Sequence, residues 1–217
     1  MSYRISIVSG GPVDPGFVFR YLEKFESDIV IAADRGLDTC VHAGIVPDIV
    51  LGDYDSTTMR RHVDELRQSG SYVEVYPSEK DFTDTEAAVR CAFEKGAEEI
   101  VILGATGGRL DHFLANLDLM LLSLKRGVRC VIADEKNEIR LLDAGLTLSR
   151  EKTFGRFVSL IPYTMRVRGL TLSGMKYPLT DAELVKGSSL GISNEMTGET
   201  ARIDFEEGIL ILIFSED

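Results

Sequence analysis

The sequence predicts an α/β fold, a mostly parallel sheet with flanking helices, followed by a small C-terminal antiparallel β-sandwich. Short apolar runs alternate with segments of helical spacing through about residue 125. After about residue 145 the texture changes to β-rich pieces joined by Gly, Pro, Ser and Asn. The ends of consecutive strands carry Asp and Gly, as open α/β sheets do where they bind ligands. The expected division falls after residue 143, giving an α/β domain, 1–143, and a β-sandwich, 144–217.

Taken in order, the strands are YRISIV (3–8), DIVIAA (28–33), DIVL (48–51), YVEV (72–75) and EIVIL (99–103), each short, apolar and rich in β-branched residues. The clearest helix is TDTEAAVRCAFEKG (83–96). Thr83 and Glu86 form a capping box, Ala87, Ala88, Cys91 and Ala92 make an apolar stripe, and Gly96 ends it. A second striped helix, RLDHFLANLDLML, begins at residue 109. VRCVIAD (128–134) and NEIRLLD (137–143) add strands to the first domain. FGRFVSLIPY, MRVRGLTLSG, ETARIDF and GILILIF supply the second, without a helix.

Composition narrows the function. With 35 Asp and Glu against 24 Lys and Arg, the net charge is -11, which argues against a sequence-independent grip on nucleic acid. No run approaches the length of a membrane helix, and the first residues lack a signal-peptide pattern, so a cytoplasmic protein is expected. Cys40, Cys91 and Cys130 are widely spaced in apolar segments and read as reduced core residues.

The chemistry lies at the strand ends: IAADRG, LGDYDST, EKDFTDTE and LGATGGRLDH. In LGDYDST, Asp53 and Asp55 are two apart, so an extended backbone sends both carboxylates to one side about 6.6 Å apart at Cα. Like charges there call for a cation. With Asp34, Asp81 and Asp84 at neighbouring strand ends, the oxygen-rich set suits Mg²⁺ shared with substrate phosphates. Each acid also has a plainer reading: Asp53 or Asp55 can cap a helix beginning near Thr57 or Thr58, and Asp81 and Asp84 can complement a helix dipole. The turns GATGG (104–108) and SGGP (9–12) can turn backbone N–H groups toward an anion, although neither is a Walker loop or a dinucleotide fingerprint. Arg109 can reach a phosphate or form a surface ion pair, and His112 can serve catalysis or helix packing.

The motifs DRG (34–36), GDYDS (52–56), KDFTDTE (80–86) and GATGGRLDH (104–112), in this order and spacing, resemble the thiamine pyrophosphokinase family, also called thiamin diphosphokinase. The resemblance spans almost the whole chain. It implies transfer of the pyrophosphoryl group of ATP to the hydroxyl of thiamine, with release of AMP, by a homodimer whose active sites lie at the subunit interface. It also implies that Asp53, Asp55 and Asp84 hold Mg²⁺ with Asp81 close by, while Asp34, Arg109 and Asp111 contact ATP or thiamine. Arg35, Gly36 and Ser56 fall within these motifs as substrate contacts, joined by Gly10 and Gly11 of the separate SGGP turn. Lys80, Thr83, Gly107, Gly108, His112 and Asn116 complete that group. The segment GSSLGISNEM (187–196) resembles the family's thiamine-side loop, which makes Ser193 and Asn194 candidate contacts to the vitamin. The chain has no Trp, whereas some members of the family stack one on the thiamine pyrimidine. Rival readings are a Mg²⁺-dependent phosphohydrolase, a pyrophosphokinase for another alcohol, and a non-catalytic nucleotide or vitamin sensor.

If the acids clamp a metal, Asp55→Asn removes a needed charge while keeping shape. Turnover should be abolished with little change in thermal melting, and full Mg²⁺-dependent activity in that variant would exclude Asp55 from the clamp.

Overall fold

The computed structural model describes residues 3–53, 63–68, 70–75 and 81–217. It divides into two compact units, Met1–Glu135 and Lys136–Asp217.

The first unit contains six strands: β1 (Arg4–Val8), β2 (Ile29–Ala33), β3 (Ile49–Gly52), β4 (Tyr72–Val75), β5 (Glu99–Leu103) and β6 (Arg129–Ala133). Their order is β6-β5-β1-β2-β3-β4, and every pairing among them is parallel. Runs such as EIVIL, in which Ile100 to Leu103 are all buried, suit strands covered on both faces. The chain builds outward from β1 to β4, then returns to the other side of β1 with β5. The order therefore reverses between β1 and β5, which is where such sheets open a crevice at their carboxyl edge.

Helices cover this sheet: α1 (Pro15–Phe25), α2 (Gly36–His42), α3 (Asp84–Glu94) and α4 (Leu110–Leu124), with residues 63–68 also helical. Asp14 caps α1 by accepting from the Phe17 N–H at 2.8 Å, and Pro15 occupies the first turn, where no donor is needed. At α3, Thr83 Oγ1 accepts from the Glu86 N–H at 3.1 Å, as the capping box requires. The Glu86 carboxylate is engaged by Arg90 at 2.7 Å, one turn along the helix. Gly96 follows at φ 81°, a left-handed conformation that ends the helix cheaply only with glycine.

The second unit is a pair of antiparallel sheets. β12 (Asn194–Glu195), β9 (Phe157–Pro162), β14 (Leu210–Ser215) and β7 (Asn137–Leu142) form one in that order. β11 (Leu179–Val185), β10 (Arg166–Ser173), β13 (Thr200–Asp204) and β8 (Leu146–Ser149) form the other. Alternation in β14 sends Leu210, Leu212 and Phe214 inward, against Leu160, Leu172, Ile203 and Met196. The expected sandwich is present. The segment 137–143 is a strand, as expected; β7 pairs antiparallel with β14 along its full length and falls within the unit Lys136–Asp217. β11 has no clear alternation, because only Leu184 is fully buried in an edge strand interrupted by register shifts.

Phe214 is 1% exposed at the centre of this sandwich. Phe214→Ala should lower unfolding free energy by about 3–5 kcal/mol in urea titration, since it loses both transfer energy and packing; a loss under about 1 kcal/mol would mean the sandwich core is not consolidated around it.

Candidate active site

The loops that follow β1 and β5 meet at the topological reversal and are joined backbone to backbone. The Ser9 N–H donates to Leu103 O at 2.8 Å and the Gly11 N–H to Gly104 O at 2.9 Å. This approach needs residues without side chains. A Cβ on Gly11 would stand 2.4 Å from Gly104 O, and one on Gly104, which has φ 66°, would stand 2.5 Å from Ser9 O. Beside the joined loops lies a cavity of about 490 Å³. Its walls are Ser9 to Pro12, Asp34 and Arg35, Thr83 to Thr85, Gly104 to Arg109, and His112 and Asn116 on α4.

The structure gathers much of the expected set here. Gly10, Gly11, Asp34, Arg35, Thr83, Asp84, Gly107, Gly108, Arg109, His112 and Asn116 all line this one cavity. Gly36 lies directly beneath it at the start of α2, where a Cβ would stand 1.9 Å from Val8 O, so only glycine lets α2 begin against the tip of β1. Asp53 follows the last residue of β3, and Asp81 is exposed ahead of α3. Asp55, Ser56 and Lys80 lie outside the described residues. Among the described residues no three His, Cys, Asp or Glu side chains are grouped to hold one ion.

Asp34 carries the electrostatic signature of the site. It is a non-glycine residue at φ 51°, its N–H is held by Leu51 O at 2.8 Å, and Oδ2 lies 2.9 Å from the point where a Gly10 side chain would begin. Burial pushes its carboxyl above the ordinary value near 3.8, and the negative charges of Asp84 and Asp53 push it further, against a hydrogen bond from the Arg35 backbone. Three acids, after β2 and β3 and at the start of α3, therefore share one field.

Arg109 lines the cavity and forms an exposed pair with Asp111, which does not itself line it, with Nη2 to Oδ2 at 2.5 Å and Nε to Oδ1 at 3.1 Å. Hydrogen bonding to Arg109 lowers the Asp111 carboxyl below its usual range. Asp111 also accepts from the His112 N–H at 3.0 Å. Gly107 and Gly108, at φ 73° and 62°, leave the turn exposed with the Pro12 ring alongside. Asn116, 5% exposed, donates from Nδ2 to Ala105 O at 3.0 Å, so part of its amide supports the turn.

Sequence reasoning missed a buried hydroxyl pair, Ser9 Oγ and Thr85 Oγ1 at 2.5 Å, which ties the β1 loop to the first turn of α3 beside Asp84. Neither residue carries a motif signal of its own. Ser193 and Asn194 lie in the second unit. Ser193 is exposed at φ 56° with its N–H donated to Ser159 Oγ at 3.0 Å. Asn194 is 3% exposed, and its amide is spent on the backbone of Tyr177: Nδ2 donates to Tyr177 O at 2.8 Å while Oδ1 accepts from Tyr177 N at 3.0 Å. In this state Asn194 shapes the loop and Ser193 is the residue presented by it.

The chain matches the family model for the thiamin pyrophosphokinase catalytic domain over residues 21–132 and that for the thiamin pyrophosphokinase vitamin B1 binding domain over residues 145–210. It is 36% identical to the thiamine pyrophosphokinase of Bacillus subtilis over 215 residues, covering 98% of this chain and 99% of the relative. A crystal structure of thiamine pyrophosphokinase from Bacillus subtilis superposes with a TM-score of 0.86 at 33% identity, covering 99% of each chain. That of thiamin pyrophosphokinase from Geobacillus thermodenitrificans gives 0.82 at 36%, covering 99% of this chain and 98% of the other.

Because the Asp34 carboxyl is raised on folding, its ionised form opposes the folded state at neutral pH, and the opposition disappears once the group is protonated in both states. In EDTA, Asp34→Asn should melt above the wild type at pH 7, with the gap closing as the pH falls below about 4. Equal melting at pH 7, or a gap that widens on acidification, would contradict the shared field. Asn also tolerates the left-handed backbone there.

Proposed function

The chain belongs to the thiamin pyrophosphokinase family, and from that premise we propose how its own residues carry pyrophosphoryl transfer from ATP to thiamine. The observation that carries the reading is the convergence of the Asp34, Asp53 and Asp84 charges on a cavity whose facing wall is a glycine turn followed by an arginine. Such a crevice takes a polyphosphate between a carboxylate-held cation and backbone donors.

The hydroxyethyl oxygen of thiamine forms a bond to the β-phosphorus while the bond from that phosphorus to the α,β-bridging oxygen breaks, leaving AMP. Positioning and charge neutralisation dominate such a reaction. The residues fit a hard divalent ion, because their donors are carboxylate oxygens, and the charges of Asp84 and Asp53 add to burial in raising Asp34. Asp53 and Asp84, together with Asp55, would hold Mg²⁺, which when bound supplies positive charge to the β- and γ-phosphate oxygens. The Gly107 and Gly108 amides and Arg109 take up charge on the leaving side; a phosphate can draw the Arg109 fork from Asp111, since both are exposed.

For the hydroxyl proton, the geometry favours Asp34 over Asp111. Asp111 is committed to Arg109 and acidified by it, whereas Asp34 is half-buried with its carboxyl raised, the better proton acceptor. In the second unit, Ser193 is the residue offered to the vitamin. The protein acts as a cytoplasmic homodimer in this reading. Exposed Leu110 and Leu114, one turn apart on α4 at 71% and 60% exposure, support a covering partner surface. No helix among the described residues is long and apolar enough to cross a membrane.

Incubation with ATP, Mg²⁺ and thiamine should yield AMP and thiamine diphosphate in equal amounts; inorganic phosphate released without thiamine would indicate a hydrolase instead. Arg109→Ala should lower kcat on the order of 100-fold if its contact strengthens in the transition state, and a change confined to KM would restrict it to ground-state binding.

A further inference from the structure

The turn after β5 poses a problem that its own sequence cannot solve. Three of its five residues are glycines with positive φ, Gly104, Gly107 and Gly108, so ordering it costs backbone entropy and offers almost no side-chain packing in return. The structure holds it by three successive links. Gly104 O accepts from the Gly11 N–H at 2.9 Å, Ala105 O accepts from Asn116 Nδ2 at 3.0 Å, and the Thr106 hydroxyl donates to Asp134 Oδ2 at 2.6 Å. Gly107 and Gly108 follow directly, so these links decide where their amides point.

The third link differs from the others. Thr106 is the one residue of the turn with a polar side chain. Its acceptor is a carboxylate at the end of β6, only 9% exposed, whose charge is an expensive choice for a position that merely ends a strand. A hydroxyl bound to a carboxylate gains a charge-assisted bond about twice the strength of a neutral one. With its proton committed to Asp134, Thr106 Oγ1 shows the cavity only lone pairs.

We propose that Asp134 is a positioning residue for the nucleotide site, acting through Thr106 to fix the glycine turn and the direction of its amides. It touches no reacting atom itself. The proposal rests on the reading of this cavity as the ATP site and adds a residue to it from outside the four motifs.

The test compares Asp134→Ala, Thr106→Val, the double variant and Thr106→Ser. ATP binding is measured by calorimetry with Mg²⁺ and no thiamine, beside steady-state kinetics. Each single variant should weaken ATP binding and raise KM for ATP by about tenfold, with a fall in kcat as well, because the Gly107 and Gly108 amides that the link directs also take up charge on the leaving side. Thr106→Ser should restore affinity, and the double variant should bind no worse than the weaker single one, since both remove the same link. Unchanged ATP affinity in either single variant, or losses that multiply in the double, would overturn the proposal. Should Asp134→Ala fail to fold, Asp134→Asn keeps the shape and an acceptor; a smaller but measurable loss supports the role and wild-type affinity refutes it. Glu135→Gln, at the exposed neighbouring position, should leave ATP affinity unchanged, and an equal loss there would reduce the effect to general disturbance of the strand end. Failure of the underlying reading looks different. A wild-type protein that binds ATP yet forms no AMP with thiamine would sink the assigned reaction while the affinities still decide the role of Asp134. One that binds no ATP would sink both.

Discussion

The burial of the Asp34 carboxyl beside two further negative charges is the constraint on which the site of the first unit depends. Burial raises that carboxyl, and the charges of Asp84, at the start of α3, and Asp53, after β3, raise it further. A fold optimised only for stability would separate them. In the proposed function, positive charge held between them would offset that repulsion.

The parallel sheet makes that convergence possible. All six strands of the first unit run in one direction, so every carboxyl end opens at one edge, and beside the loops that join at the reversal between β1 and β5 lies a cavity that can admit a ligand. The sheet interior, with Ile5, Ile7, Ile31, Ile100 and Ile102 fully buried, supplies the stability that tolerates a strained Asp34 and a glycine-rich turn at its rim. Small tertiary ties then remove the slack: Ser9 to Thr85, Asn116 to Ala105 and Thr106 to Asp134 each cross between elements. Pre-organised donors cost little reorganisation when charge develops, which is where phosphoryl-transfer sites gain most of their rate.

Much of this was legible in the chain. Short apolar, β-branched runs, the Thr83 cap and Gly96 stop marked strands and helix, and the acids and glycines at strand ends marked the crevice. The ties were not legible. Ser9 and Thr85 are 76 residues apart, and nothing local distinguishes that hydroxyl pair from any other small polar residues. Asn194 was a candidate contact because GSSLGISNEM resembles the family's thiamine-side loop; that its amide bonds the Tyr177 backbone is a pairing that only folding reveals. β7 reads as a buried strand in either unit; its alignment along β14 decides the matter, and pairing partners are not encoded in a strand's own alternation.

The most direct test of the shared carboxylate field is the dependence of ATP affinity on the divalent ion. Calorimetric titration of the wild-type protein with ATP should give binding at least about 100-fold tighter in Mg²⁺ than in EDTA, because without the cation the carboxylates and the triphosphate repel. Equal affinity in the two conditions would show that the acids do not hold the nucleotide through a metal and would contradict the account.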